Sequence, residues 1–212
     1  PSKKGEKFNK YKIQEKLESG EDINSIFDRT YKITNDFYLV QNDKKQSFLY
    51  KKKLIIDWFN YTFDVEKIEF IEEKNDKPVI DYDGDVDFNR KKMSSLPIYF
   101  NKVGGDFDCG SNKLTTLEGC PKIVGRGFYC YDNELTSLEG APRRVGRNFY
   151  CYKNKLTSLE GAPRRVGRNF ICSENKLTSL EGAPREVGGD FYCHYNNLTS
   201  LEGAPRRVGK DF

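Results

Sequence analysis

A repeat of 21 residues dominates the sequence from Val103 onwards and constrains the fold more than any other feature. The second and third copies read VGRGFYCYDNELTSLEGAPRR and VGRNFYCYKNKLTSLEGAPRR, and the other three differ little from them. A sixth start, VGKDF, reaches Phe212. Five copies in register cannot arise by chance, so the period predicts a repeat solenoid.

A more divergent copy precedes these five. Moving the frame back by one period from Val103 aligns the segment that begins at Tyr82, YDGDVDFNRKKMSSLPIYFNK. The aligned apolar pairs are Val86 with Phe107, Phe88 with Cys109, Met93 with Leu114, and Leu96 with Leu117. We therefore expect the solenoid to occupy residues 82–212, as about six turns of which the last ends mid-repeat.

Within each copy, the pattern F-x-C-x-x-N-x-L-x-x-L predicts how one turn is built. Phe107 and Cys109 alternate with outward residues, as in a short strand. Asn112 follows at a position where a buried amide can bond the backbone of its own and the adjacent turn, and Leu114 and Leu117 close the core. The E-G-A-P segment breaks a helix, because proline lacks an amide hydrogen and disfavours helix before it. The pattern predicts a β-rich solenoid with a parallel sheet and no full convex helices.

This pattern resembles the signature of the leucine-rich repeat family, L-x-L-x-x-N-x-L-x-x-L, with Phe and Cys in the first two apolar positions. The resemblance covers residues 82–212 and points to the short repeats of bacterial and bacteriophage proteins. The phrase L-T-S-L-E-G-A-P is closer to the phage type, since bacterial effectors of this class tend to carry L-P-x-L-P. The resemblance implies binding and leaves the partner open.

Residues 1–81 carry no repeat and predict a small α+β domain. Short helical spacing at residues 11–17 and 23–27 precedes two strand-like segments, 36–41 and 46–51, and an apolar helix face around Trp58. Two further strands are expected on either side of Asn75–Pro78, the last of which would cover the first edge of the solenoid sheet. Capping is the favoured role of this domain, and an independent function is the alternative.

The cysteines are explained by the repeat. Five of them recur at the period and predict one interior column: Cys109, Cys130, Cys151, Cys172 and Cys193. Neighbouring strands lie about 4.8 Å apart with side chains pointing the same way, whereas disulfides need Cβ atoms about 3.8 Å apart that face each other. Cys120 stands where the other copies have alanine. We expect reduced thiols, which favour a cytoplasmic location, including a host cytoplasm or a virion for a phage protein.

Other classes of function find little support. No apolar run reaches the 18 or so residues of a membrane span, and the lysine-rich first residues lead us to expect no signal peptide. The single histidine, His194, is next to Cys193 on a strand, so the two side chains point to opposite faces and cannot form a catalytic pair. There is no C-x-x-C motif. We expect no enzyme activity, no metal and no cofactor.

Carboxylates gather at the start of the solenoid. Asp85 and Asp87 flank Val86, and Asp106 and Asp108 flank Phe107 one turn later. If the register holds, these four side chains share one patch of the outer strand face. Such a patch could hold a divalent cation or a basic segment of a partner, and the alternative is a solvated acidic patch.

Basic residues also recur at the period. They form the columns Lys122, Arg143, Arg164, Arg185, Arg206 and Arg126, Arg147, Arg168, Lys210. A phosphate backbone could use such columns. A nearby acidic column, Glu118, Glu139, Glu160, Glu181 and Glu202, favours mutual ion pairing on a solvated face instead. Nucleic acid is therefore a disfavoured partner.

The outward strand positions vary between copies while the interior positions stay constant. Two neighbouring columns read Asp108, Tyr129, Tyr150, Ile171, Tyr192 and Gly110, Tyr131, Tyr152, Ser173, His194. Tyrosine offers a large contact area with one polar group, and exposed aromatic patches mark interfaces. The alternative is that stacked tyrosines only stabilise neighbouring strands.

These observations predict a non-enzymatic module that recognises a protein partner through the aromatic concave face of the solenoid. The predicted contact residues are Tyr129, Tyr131, Tyr150, Tyr152, Ile171, Tyr192 and His194, with the acidic patch steering a basic segment. Two alternatives stay open: an assembly component of a phage particle or phage-encoded complex, and a nucleic-acid binder that uses the arginine columns. No membrane partner is expected. Self-association through an uncapped carboxy-terminal edge is a further expectation.

Overall fold

The structure is a computed structural model that describes residues 68–74, 77–96 and 98–212. These residues belong to one compact unit, Glu66–Phe212. The helices and the first hairpin expected before residue 68 lie outside the described residues. The α+β character of the amino-terminal domain therefore stays a prediction.

Short strands make up the regular structure of the described residues. In chain order they are β1 Ile68–Lys74, β2 Lys77–Tyr82, β3 Val86–Asp87, β4 Tyr99–Val103, β5 Phe107–Asp108, β6 Ile123–Val124, β7 Phe128–Tyr129, β8 Arg144–Val145, β9 Phe149–Tyr150, β10 Arg165–Val166, β11 Phe170–Ile171, β12 Glu186–Val187, β13 Phe191–Tyr192 and β14 Arg207–Val208. From β3 onwards the strands alternate between two sheets, so that each turn of the solenoid contributes two strands.

The six-stranded sheet follows the predicted repeat. Its order is β3-β5-β7-β9-β11-β13, with every neighbour parallel. Val86 pairs with Phe107, and each later phenylalanine pairs with the one a single period further on. The period and the divergent first copy are both confirmed, and the chain forms a parallel solenoid of about six turns.

The eight-stranded sheet, in the order β1-β2-β4-β6-β8-β10-β12-β14, was only partly expected. β1 and β2 form the expected antiparallel hairpin, and β2 then pairs in parallel with β4. The covering strand therefore extends this second sheet, and not the Phe-x-Cys sheet whose first edge it was expected to cover. The second strand of every turn was missed. It places Val145 inward and Arg144 outward, and the amide of Gly146 donates to the carbonyl of Val124 over 3.0 Å.

A glycine corner joins the two strands of each turn. A Cβ atom on Gly146 would clash with the carbonyl oxygen of Gly125, and Gly125 and Gly167 show the same close approach to the turn before them. Only glycine lets successive backbones come this close. The constant glycine after each valine is therefore required by the stacking of the turns.

The third side of each turn contains the N-x-L-x-x-L segment. Its backbone is bonded from turn to turn, for example from the Lys155 amide to the Leu135 carbonyl over 2.8 Å. No helix forms in the described residues, which agrees with the absence of full convex helices in the prediction. Nor does that part of the chain contain a helix long and apolar enough to cross a membrane.

The core is built from columns that run along the solenoid. Phe107, Phe128, Phe149, Phe170 and Phe191 are fully buried, with ring centroids 5.1 to 5.7 Å apart from one turn to the next. The two leucines of each of the first four regular copies are also fully buried. Aromatic pairs at these distances stabilise a core beyond the area that they bury.

A buried asparagine column links the turns through hydrogen bonds. The Asn154 amide nitrogen donates to the carbonyls of Cys151 in its own turn and Cys130 in the turn before, over 3.1 and 3.0 Å. Its oxygen accepts the Leu135 amide over 3.1 Å. Asn133 and Asn175 make the same set, which confirms the predicted role of the repeat asparagine.

Candidate functional site

The variable columns lie on the outer face of the six-stranded sheet, as the alternation of the strands requires. Tyr129 pairs with Tyr150 and Ile171 pairs with Tyr192, one turn apart in each case. Tyr129, Tyr150 and Tyr192 are half-buried, in contrast to the fully buried phenylalanine that precedes each of them. The predicted contact residues thus share one face.

Four of the tyrosines form a connected cluster over two turns, which we call the tyrosine cluster: Tyr129, Tyr131, Tyr150 and Tyr152. The rings of Tyr131 and Tyr152 stack in parallel at 4.9 Å, with 2° between their planes. Tyr129 meets Tyr150 edge to face at 5.2 Å, and Tyr150 lies 6.4 Å from Tyr152. The cluster is therefore a defined surface rather than a set of independent side chains.

The preceding turns hold one end of the tyrosine cluster in place. The Asn89 side chain donates to the hydroxyl of Tyr131 over 2.7 Å. The ring of Tyr131 covers Gly110, where an added Cβ would come within 2.6 Å of the ring. Glycine in the first regular copy thus makes room for tyrosine in the second, a relation that the sequence did not reveal.

A second aromatic group lies in the fifth copy. His194 is exposed, 6.2 Å from Tyr192 and 5.1 Å from Tyr195 between ring centroids. Its Nδ1 is 3.1 Å from the hydroxyl of Ser173. Tyr195, which is 79% exposed, was missed by the sequence analysis, although its column also varies between copies.

Ile171 and Ser173 separate the two aromatic groups. They occupy the positions that Tyr150 and Tyr152 hold one turn earlier, and Ser173 is buried. The predicted face is therefore divided into two aromatic groups with a non-aromatic turn between them.

Burial affects the ionisation of three phenols of the tyrosine cluster. It raises the pKa of Tyr150 and Tyr152, and it does the same for Tyr131. These three hydroxyls stay protonated at neutral pH and can both donate and accept hydrogen bonds. Burial likewise raises the pKa of Asp108, which lies beside Tyr129 in the sheet.

The four predicted acidic residues divide into two pairs with different roles. Asp85 accepts the Asp106 amide over 2.7 Å, and Asp106 accepts the Gly127 amide over 2.6 Å. Further along the same corner, Asn169 accepts the amide of Asp190. These side chains tie several successive turns together, with an interruption at Gly127, and Asp85 also faces Arg126 at 3.6 Å.

The other pair, Asp87 and Asp108, lies side by side in the sheet. Asp87 accepts the amide of Asn89 over 2.9 Å, and Asp108 accepts the amide of Gly110 over 2.8 Å. Both carboxylates therefore accept hydrogen bonds from backbone amides close to them in the chain. In the described residues, no group of three or more His, Cys, Asp or Glu side chains is placed to hold a metal ion.

The basic columns are stacked by the backbone. The Arg147 amide donates to the Arg126 carbonyl over 2.9 Å, and that of Arg168 to Arg147 over 2.9 Å. The expected pairing with the glutamate column is not found: in the described chain, no ion pair joins Glu139, Glu160, Glu181 or Glu202 to an arginine of the repeats. Where the chain is described, Arg165 pairs instead with Glu186 at 3.2 Å, and Arg126 with Asp85 at 3.6 Å.

The cysteines offer no reactive group inside the solenoid. All six are free, five are buried, and Cys193 is half-buried. Burial raises the pKa of Cys130, Cys151 and Cys172, which keeps them as thiols at neutral pH. Low reactivity fits the interpretation of these residues as core.

The chain matches no known family model, no curated protein and no solved structure at a significant level. The likeness to leucine-rich repeats therefore stays a resemblance of pattern, and what the molecule does has to be argued from its own surfaces.

Proposed function

We propose that the chain is a non-enzymatic module that binds a protein partner through the outer face of the six-stranded sheet. The tyrosine cluster is the anchor, and Ile171, Tyr192 and His194 extend the contact along the solenoid. The observation that carries this proposal is the tyrosine cluster itself, a connected and half-buried aromatic surface on a rigid sheet.

The contrast between interior and exterior supports the proposal. The inward Phe, Cys, Asn and Leu columns are nearly invariant within the chain, so all turns stack through the same core residues. Stacking therefore gives no reason for the outward residues to differ from turn to turn. The outward positions carry Asp, Tyr, Ile, Gly, Ser and His. A constant scaffold with a variable aromatic face is typical of a recognition surface, where Tyr is enriched.

The arrangement of the rings suits a protein interface. Tyr131 and Tyr152 lie face to face at 4.9 Å, so each ring covers one face of the other. The ring edges and hydroxyls fit the mixed apolar and hydrogen-bonding contacts of a protein interface. The resemblance to leucine-rich repeats, with its phage-type phrase, and a cytoplasmic setting are parts of the same proposal.

The test is capture of a partner by the full chain, with two matched variants. The first is Tyr150→Ser with Tyr152→Ser, which removes both rings from the centre of the tyrosine cluster. The second is Thr157→Ala with Lys176→Ser, two exposed positions on the third side of the turns. Captured proteins from a lysate of the natural host are compared by mass spectrometry, and circular dichroism checks that each variant is folded.

We expect the tyrosine variant to lose the captured protein at least tenfold, because central aromatic anchors commonly contribute about 2 kcal/mol or more each. The control variant should capture the same protein as the unmodified chain. Equal capture by the folded tyrosine variant would remove the basis of the proposal.

A further inference from the structure

The outer face of the eight-stranded sheet is a second surface, and it is strongly basic. Residues 101–212 contain 17 Lys and Arg against 13 Asp and Glu, and most of those basic residues lie on or beside this sheet. Besides the two predicted columns, the strands present a third column at the outward position before each valine: Ile123, Arg144, Arg165, Glu186 and Arg207.

A groove runs along this face. Its volume is about 840 Å³, and the same three positions of successive turns line it, for example Arg144, Val145 and Gly146. The glycines at its base are exposed because they carry no side chain, and the arginines rise beside them. The groove crosses five turns, which corresponds to about 19 Å at about 4.8 Å per turn.

The charge of this face is largely uncompensated. Within the described residues, Arg143, Arg144, Arg147, Arg164 and Arg168 are exposed and form no ion pair. Stacked arginines repel one another, and the core of the solenoid fixes their spacing. A partner that supplies regularly spaced negative charge would relieve this repulsion and release counterions.

We propose that this face binds the phosphate backbone of a nucleic-acid duplex without reading its sequence. Arginine pairs with phosphate in two-pronged hydrogen bonds, which fits the dominance of Arg over Lys here. The outward positions of the sheet from Lys102 to Gly209 carry no aromatic residue on which unstacked bases could lie. A duplex keeps its bases stacked and presents two charged phosphate backbones.

This inference is independent of the proposed protein-binding function, since the tyrosine cluster belongs to the other sheet. It also reverses the sequence-based expectation that disfavoured nucleic acid. That expectation depended on ion pairs between the arginine and glutamate columns, and among the described residues Glu139, Glu160, Glu181 and Glu202 form none with the arginines.

The test measures binding of the full chain to a fluorescent duplex of 20 base pairs by anisotropy, between 50 and 200 mM salt. With about five phosphate contacts, the slope of log affinity against log salt should be about −4.5. Arg144→Ser with Arg147→Ser and Arg168→Ser should bring it to about −1.8, since about 0.9 is lost per contact. The affinity should fall at least tenfold.

The control variant changes the net charge equally on another side of the turns: Lys113→Ser with Lys155→Ser and Lys176→Ser. It should leave affinity and slope close to those of the unmodified chain. Equal losses in the two triple variants would overturn the proposal, because only net charge would then matter. Unchanged binding in the arginine variant would also overturn it.

Three further ligands identify the kind of partner. A single strand of the same length, poly-glutamate, and vesicles that contain phosphatidylserine are measured under the same salt conditions. Weaker binding of all three than of the duplex supports the proposal. Tighter binding of the single strand, the acidic peptide or the vesicles overturns the assignment to a duplex.

Discussion

The asparagine column should be the most sensitive part of the solenoid, and Asn154→Ala tests this. The substitution leaves the buried amide of Leu135 without a partner, which costs about 1–3 kcal/mol. The carbonyls of Cys130 and Cys151 each lose one of two side-chain donors, since Asn133 still donates to Cys130 and Asn175 to Cys151. We expect the free energy of unfolding to fall by about 3 kcal/mol.

The chain contains its own control for this prediction. Asn196 makes the same set of bonds, including 3.0 Å from the Leu177 amide to its oxygen, but it is only half-buried. Water can replace the lost partners there, so Asn196→Ala should cost about 1 kcal/mol. Urea unfolding followed by circular dichroism gives both values, and hydrogen exchange at the Leu135 amide gives a local check.

Equal losses in the two asparagine variants would refute the reasoning, because burial would then not determine the cost. A loss below about 1 kcal/mol in Asn154→Ala would show that the inter-turn bonds contribute little. Unchanged exchange at the Leu135 amide would show that its hydrogen bond does not depend on Asn154.

Four further outcomes follow from the structure. Gly146→Ala should lower the free energy of unfolding by about 3 kcal/mol, because the new Cβ meets the Gly125 carbonyl; thermal unfolding measures it. Glu174→Asn should raise stability by about 0.5 kcal/mol, because Glu174 has a φ of 54° and Asn tolerates this conformation better; urea unfolding measures it. A thiol reagent at pH 8 should label Cys193 first, since it is half-buried while the other five are buried; Cys193→Ser should abolish the early labelling. Stability should fall as the pH rises past about 8.5, because burial raises the pKa of the Cys130, Cys151 and Cys172 thiols and the unfolded thiols ionise first, and it should fall further above about pH 10, where the unfolded phenols of Tyr150 and Tyr152 ionise; unfolding against pH measures it.

Each of these has a contrary result. A stable Gly146→Ala variant would mean that the turns can separate at the corner. Destabilisation by Glu174→Asn would mean that the left-handed position is not strained. Rapid labelling of all six thiols in the folded chain would contradict a packed core, and a stability that rises above pH 10 would contradict buried phenols.

How far the sequence could predict the fold depends on what each residue contacts. The phenylalanine, asparagine and leucine columns were predictable, because an exact period places equal side chains in equal environments. The strand at Arg144–Val145 was missed, since two residues are too few for an alternation to be recognised. The left-handed residue before each asparagine, such as Glu174, was missed because it varies from Ser to Tyr and so carries no mark of its conformation.

The sequence predicted which residues belong to the candidate surfaces, but not how their side chains contact one another. The tyrosine columns lie where the alternation placed them, yet their division by Ile171 and Ser173 into two groups depends on ring contacts. The carboxylates of Asp85 and Asp106 were interpreted as a patch because their bonds to the next turn cannot be deduced from composition. Whether the arginines pair with the glutamates depends on distances between their side chains, and a single sequence does not give those distances.

Photo-crosslinking tests the central claim most directly. Benzoylphenylalanine is introduced at Tyr150, at Tyr192 and at Lys176 in three separate variants of the chain, and each is irradiated in a lysate of the cells in which the protein occurs. A protein that binds the outer face of the six-stranded sheet should be crosslinked from positions 150 and 192 and not from 176. Crosslinks from position 176 alone, or of equal strength from all three, would contradict recognition through the tyrosine-bearing face.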